Sequence, residues 1–230
     1  MMFDQTYLLI SIVPLLFSLW AQYRVKSTFS KYSQISVRSG MSGAEAAAAI
    51  VRASGLEGIS IERHQGFLSD HYDPRSRTLR LSPDVYDGRS ISSVAVAAHE
   101  AGHSLQHAHN YVPLTLRSRL VPLTQIGSRI WFLPFMIGLG MNSMGLIMSG
   151  VVLFGLVVLF QLVTLPTEFN ASNRAKAVLV STGIVSSREE EVGVDKVLDA
   201  AALTYVAALV ASVVQLLYLL MRAQASRDSR

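Results

Sequence analysis

The sequence predicts a mainly α-helical membrane protein with a small α+β polar part, and three observations predict it. Half of the 230 residues are hydrophobic and only 16% are charged. With a mean hydropathy of +0.37, this is too apolar for an ordinary soluble domain and suits a membrane chain with a modest polar portion. Four apolar stretches are long enough to be transmembrane helices. Between the first two lies a polar region in which short alternating segments precede His99-Glu100-Ala101-Gly102-His103, a helical pattern with a chemical purpose.

The first apolar stretch runs from about Tyr7 to Tyr23, with no charge between Asp4 and Arg24 and an aromatic belt at Trp20 and Tyr23. At roughly 17 residues it is just long enough to span. The start Met-Met-Phe-Asp lacks the positive region of a signal peptide, so an uncleaved anchor is expected rather than a cleaved leader. No charge lies between Arg129 and Glu168, a run too long for one crossing of a core about 30 Å thick. The stretch from Gly138 to Gly145 is its natural turn. This divides it into one helix from about Leu120 to Gly140 and another from Leu146 to Leu165. Arg129 falls inside the first of these and must snorkel or face protein. The fourth stretch is about Ala200 to Met221.

Lysines and arginines at the helix ends set the orientation. Arg24, Lys26, Lys31, Arg38, Arg117, Arg119, Arg129, Arg174 and Lys176 all favour one side, the cytoplasm, and the uncharged turn between helices two and three is then outside. Arg222, Arg227 and Arg230 in the C-terminal tail run against this count. The net charge of +4 is spread along the chain and flanks apolar segments, which fits membrane anchors and not a nucleic-acid patch. There is no cysteine, so disulfides and cysteine-type zinc sites are excluded, and any zinc must be held by histidine and carboxylate.

In the polar part, Ser42-Gly43-Ala44-Glu45 is a capping box before an alanine-rich helix that Gly55 stops. Gly58 to Glu62 and Arg77 to Leu81 are predicted strands, with Asp73-Pro74-Arg75-Ser76 a turn and His71 in a loop before it. Thr78 to Leu81 could offer an edge to which an extended substrate adds. Ser90 or Ser92 can cap the helix that carries His99 and His103. The chain thus divides into an N-terminal transmembrane helix (1–23), a polar α+β part with the metal helix (24–116), a transmembrane hairpin (117–166), a polar segment (167–199) and a C-terminal transmembrane helix with its tail (200–230).

Residues i and i+4 stack on one helix face, so His99 and His103 can both reach one metal ion. Glu100 is then placed to take a proton from a metal-bound water, the logic of the H-E-x-x-H zinc hydrolases. A catalytic zinc needs a third protein ligand. Glu168 is the best candidate: Pro166 is expected to break the third membrane helix, and Glu168 starts the next element with no other acid nearby. A carboxylate there is costly without a partner. Glu189, Glu190 and Glu191 compete, but a three-glutamate run usually marks a solvated face.

Ala97-Ala98-His99-Glu100-Ala101-Gly102-His103, Leu165-Pro166-Thr167-Glu168-Phe169-Asn170-Ala171-Ser172 and Val197-Leu198-Asp199-Ala200-Ala201-Ala202-Leu203-Thr204-Tyr205-Val206-Ala207 together resemble the bacterial YugP-type neutral zinc metallopeptidase family. His71-Tyr72-Asp73-Pro74 and Leu79-Arg80-Leu81-Ser82 are similar too. The likeness covers nearly the whole chain. It implies a multi-pass metallopeptidase of the bacterial cell membrane with a zincin-like polar part, one zinc ion held by His99, His103 and Glu168, and Glu100 as base. More distantly, Glu168-x-x-Ala171-Ser172-x-x-Ala175 resembles a segment of HtpX and CaaX-protease-like membrane peptidases. Those proteins carry an aspartate, which orients a zinc-ligating histidine, where this chain has Ser172. Ser172 or Asn173 would take that place.

The expected reaction is peptide-bond hydrolysis, with peptides or membrane proteins as substrates, the bilayer as surroundings, no nucleic acid, and an active site on the cytoplasmic side. His107, Arg174 and Tyr205 are candidates to stabilise an oxyanion. His107 also suits a supporting role, and Tyr205 a membrane-interface aromatic. The alternatives are a zinc-binding membrane scaffold without turnover, and a transporter or channel. A transporter is disfavoured because Arg129 is the one charge within helices two and three.

Overall fold

The protein is described here from a computed structural model covering residues 5–66 and 69–228. In chain order the elements are helices α1 (Gln5–Tyr32) and α2 (Gly43–Ala53), strands β1 (Ser60–Arg63), β2 (His71–Asp73) and β3 (Thr78–Leu81), and helices α3 (Pro83–Tyr86), α4 (Ile91–Ala108), α5 (Val112–Ile130), α6 (Phe132–Gly140), α7 (Met144–Ser181) and α8 (Arg188–Asp228). Among the described residues, four helical segments are long and apolar enough to cross a membrane: Tyr7–Tyr32, Val112–Gly140, Met144–Ser181 and Arg188–Asp228. The protein is therefore a mainly α, multi-pass membrane protein with a small α+β part.

The chain forms two compact units. The first gathers 5–20, 115–165 and 204–228. Its core is Phe135, Ile147, Val151, Phe154, Val158, Tyr218 and Leu219, with Trp131 against Phe154. Leu9, Val13, Leu133, Val152 and Leu217 point outward, so these helices are apolar on both faces, as helices solvated by lipid are. Gly138 lets α6 meet α7: a Cβ there would lie 2.5 Å from the Ile147 nitrogen, the close approach that small residues give membrane helices. The turn after α6 falls in the glycine-rich stretch as expected, with Asn142 at φ 54° and the Ser143 N–H donating to the Gly138 carbonyl.

The second unit gathers 21–66, 69–114 and 166–203 of the described residues. The capping box of α2 forms as expected: the Glu45 N–H donates to Ser42 Oγ at 3.2 Å and the Ser42 N–H to Glu45 Oε2 at 2.7 Å. Gly55 follows α2 at φ 66°. Ala46, Ala47, Ile50 and Val51 on α2, Leu79 and Leu81 on β3, and Val94, Ala95, Ala97, Ala98, Ala101 and Leu105 on α4 make one continuous core. α4 is its axis, and Ser90 caps that helix by accepting the Ser93 N–H. Ser92 is instead buried, donating to the Phe29 carbonyl.

Three expectations are corrected. The sheet order is β1-β3-β2, with β3 parallel to β1 and antiparallel to β2. Thr78 to Leu81 is therefore a central strand and offers no edge. His71 opens β2, a strand too short to show a period of its own, which exists because it pairs with β3. The open edges among the described residues belong to β1 and β2.

Secondly, Pro166 does not end the third membrane helix. α7 runs unbroken to Ser181. Proline removes one backbone bond and crowds the carbonyl four residues back, at a cost of about 3 kcal/mol. Beyond it, Glu168, Ala171, Ser172, Ala175 and Leu179 form a buried stripe at helical spacing, and tertiary packing along that stripe holds the helix.

Thirdly, the three-glutamate run is not one solvated face. Glu189 is exposed, but Glu190 is buried. Its carboxylate accepts the backbone N–H groups of Arg38 (2.6 Å), Ser186 (3.1 Å) and Ser187 (3.0 Å) and the Ser187 hydroxyl. It closes the start of α8 and ties the loop after α1 to it.

Candidate metal centre

The site is built where α4 meets α7. A glycine at position 102 makes the meeting possible: a Cβ there would lie 2.4 Å from the Ala171 carbonyl oxygen. Without a side chain at Gly102, the two backbones approach closely enough for short side chains to converge. His99 and His103 stack one turn apart on α4, their ring centroids 4.8 Å apart at an angle of 82°. Glu168 comes up from α7 between them, with Oε2 3.2 Å from His99 Nε2 and 3.5 Å from His103 Nε2. One ligand atom from each of the three residues lies within 4.8 Å of the others. Glu168 and His103 are buried, and His99 nearly so. Glu100 is buried on α4 beside them.

Two imidazole nitrogens and one carboxylate oxygen are the donor set of a catalytic zinc site. The outer ring nitrogens are also occupied in the way such a site needs. His99 Nδ1 lies 3.1 Å from Ser172 Oγ, and His103 Nδ1 lies 3.0 Å from Gln106 Oε1. Both Nε2 atoms are left facing Glu168. The residues present therefore fit one metal ion. Ser172, not the exposed Asn173, stands beside His99.

The candidate oxyanion groups are placed differently from one another. His107 is half-buried and shares a 2.9 Å hydrogen bond through Nδ1 with the Tyr72 hydroxyl. Burial pushes the Tyr72 phenol above its ordinary range, so it stays protonated at neutral pH. Arg174 donates from Nε to Asn170 Oδ1 at 2.8 Å and lies over the Tyr111 ring. Tyr205 belongs to the first unit. Upstream, Asp73 accepts from the Ser76 hydroxyl, the Arg75 N–H and Arg80, which together hold its carboxyl down to about 2. This knot closes the turn from β2 to β3, where Arg77 sits at φ 52°.

Gln106 and Asn170 escaped the sequence reasoning. Gln106 sits three residues after His103, a same-face spacing that could have been noticed. Asn170 sits four residues before Arg174, a same-face spacing that could also have been noticed, but its place opposite Gln106 depends on α7 packing against α4.

Apolar spanning helices together with a His–His–Glu cluster on crossing helices define a membrane metalloprotein of the zinc hydrolase class. Residues 7–224 match the family described as "Putative neutral zinc metallopeptidase", and the chain belongs to that family. A Bacillus subtilis (strain 168) protein described as "Putative membrane protease YugP" is 47% identical over 222 residues, which is 96% of this chain and 98% of that protein. No solved structure matches.

Proposed function

We propose that the protein is a zinc metalloendopeptidase in which His99, His103 and Glu168 hold the metal and Glu100 is the general base. The observation that carries this reading is the convergence of Glu168 Oε2 on both Nε2 atoms of the His99-x-x-x-His103 pair, with Glu100 one residue along the same helix. When bound, zinc supplies Lewis acidity, polarising the scissile carbonyl and acidifying a water. Glu100 takes the proton of that water on its carboxylate as the oxygen attacks, and delivers it to the leaving amide nitrogen. Its burial keeps bulk water from competing for that proton. Ser172 and Gln106 hold the two imidazoles in place. β2 packs on α4 and, among the described residues, has an open edge, which suits an extended peptide added as a further strand.

Substrates on this reading are membrane proteins cut near the bilayer, or flexible chains at its cytoplasmic face in the bacterial cell membrane. Glu168 lies three residues beyond Leu165 on the same helix, about 4.5 Å of helical rise past the apolar run. The Lys and Arg bias of the flanking segments favours the cytoplasmic side.

Glu100→Gln tests the reading. The variant should bind zinc as the wild type does and lose hydrolysis of an unfolded or membrane substrate. His99→Ala and His103→Ala should lose both. Wild-type cleavage by Glu100→Gln refutes the base assignment. Stoichiometric zinc in a wild-type protein that cleaves nothing would favour the scaffold alternative.

A further inference from the structure

The hydrogen bonds behind His103 run in one direction only, and that direction can be followed from a group whose protons are beyond doubt. Arg174 has donors and no acceptor. Its Nε–H donates to the side-chain oxygen of Asn170 at 2.8 Å, so that atom is the amide oxygen. Gln106 Nε2 lies 3.0 Å from the same oxygen and 2.7 Å from the backbone carbonyl of Thr167. Neither partner can donate, so both are reached by the Gln106 NH2 group, and both of its protons are used. The Gln106 side chain is fully buried and cannot turn over without setting its carbonyl against two acceptors. Its Oε1 therefore faces His103 Nδ1, 3.0 Å away. An amide oxygen carries no proton, so Nδ1 must supply it.

We propose that Arg174, Asn170 and Gln106 form a directional relay that fixes His103 as its Nδ1–H tautomer, with the lone pair of Nε2 turned into the metal centre. Gln106 is the positioning residue and Arg174 its remote anchor. The proposal rests on the metal-centre reading for its purpose, although the tautomer itself does not depend on metal. An Nε2–H tautomer would instead present a proton to the Glu168 carboxylate and would have to be undone before any metal could bind. The relay removes that competing state in advance. It also gives Arg174, weighed above as an oxyanion group, a second task, because its Nε–H is committed to Asn170.

The test uses full-length protein in detergent micelles. Histidine 15N chemical shifts and long-range couplings of the metal-free protein read the tautomer, with His103→Ala assigning the signal. Zinc affinity is read by competition with a chromophoric chelator. The wild type should show His103 as Nδ1–H. Gln106→Met should admit the Nε2–H form and weaken zinc by about 10–100-fold, as loss of a hydrogen bond behind a ligand does. Because position 106 is buried, Asn170 gives a second arm. Asn170→Asp keeps an acceptor for both Gln106 and Arg174 and should behave as wild type. Asn170→Leu should lose part of the tautomer preference and part of the affinity. A wild-type His103 protonated at Nε2 and not at Nδ1 overturns the relay, as does a folded Gln106→Met with unchanged tautomer and zinc affinity. Failure of wild-type protein to bind zinc, with the Nδ1–H tautomer present and lost in Gln106→Met, would sink the metal-centre reading and leave the relay standing.

Discussion

Gly102→Ala is a small change with a large expected consequence. By local propensity it should stabilise α4 by about 1 kcal/mol, since alanine is the better helix former. The crossing reverses the sign. The added Cβ would sit 2.4 Å from the Ala171 carbonyl oxygen, whereas ordinary contact begins near 3.4 Å, so α4 and α7 must separate by about 1 Å. The obstacle is backbone, not the end of a flexible side chain, and overpacking of this kind costs about 1–3 kcal/mol. Glu168 is one turn before Ala171 on α7 and moves with it. Zinc–oxygen and zinc–nitrogen bonds of about 2.0–2.2 Å tolerate only about 0.2 Å of error. A retreat of 1 Å therefore leaves the carboxylate out of reach of an ion held by both histidines. Gly102→Ala should approach His103→Ala in zinc content, measured by elemental analysis of purified protein, with a lowered thermal midpoint. Gly155→Ala is the control, because a Cβ there meets nothing within 4 Å. Full zinc occupancy in Gly102→Ala would refute the claim that this crossing sets the site.

Glu168→Ala should abolish zinc binding. Glu190→Gln should leave zinc affinity unchanged in the folded protein and lower stability by about 1–3 kcal/mol through unsatisfied buried donors, read by helicity on heating in detergent. Asp73 has a folded-state pKa depressed to about 2. Its contribution is present above the ordinary carboxylate range and fades as pH falls from near 4 through 2, so the stability gap between wild type and Asp73→Asn should close over that interval. Single cysteines in place of the exposed Ser36 and Ser181, in a chain with no native thiol, should resist an impermeant reagent in intact cells; labelling of both would place the site outside the cytoplasm.

The sequence by itself determined what depends on spacing and composition. The four spanning segments follow from runs of apolar residues that water cannot solvate, and the capping box of α2 from two side chains three residues apart. The proximity of His99 and His103 was legible because a helix converts a four-residue interval into proximity without help from the rest of the fold. Glu168 was legible as an unusual carboxylate beside an apolar helix, but for a partly mistaken reason: it lies within α7 and does not start a new element. What only the tertiary structure decided is whatever depends on one element meeting another. Packing along Ala171, Ala175 and Leu179 carries α7 through a proline that local rules would make a stop. Pairing on both sides makes β3 central, and the loop after α1 turns Glu190 from a surface charge into a buried cap. Gln106 and Asn170 acquire their roles because hydrogen-bond direction is a property of who stands opposite, and the sequence does not state who that is.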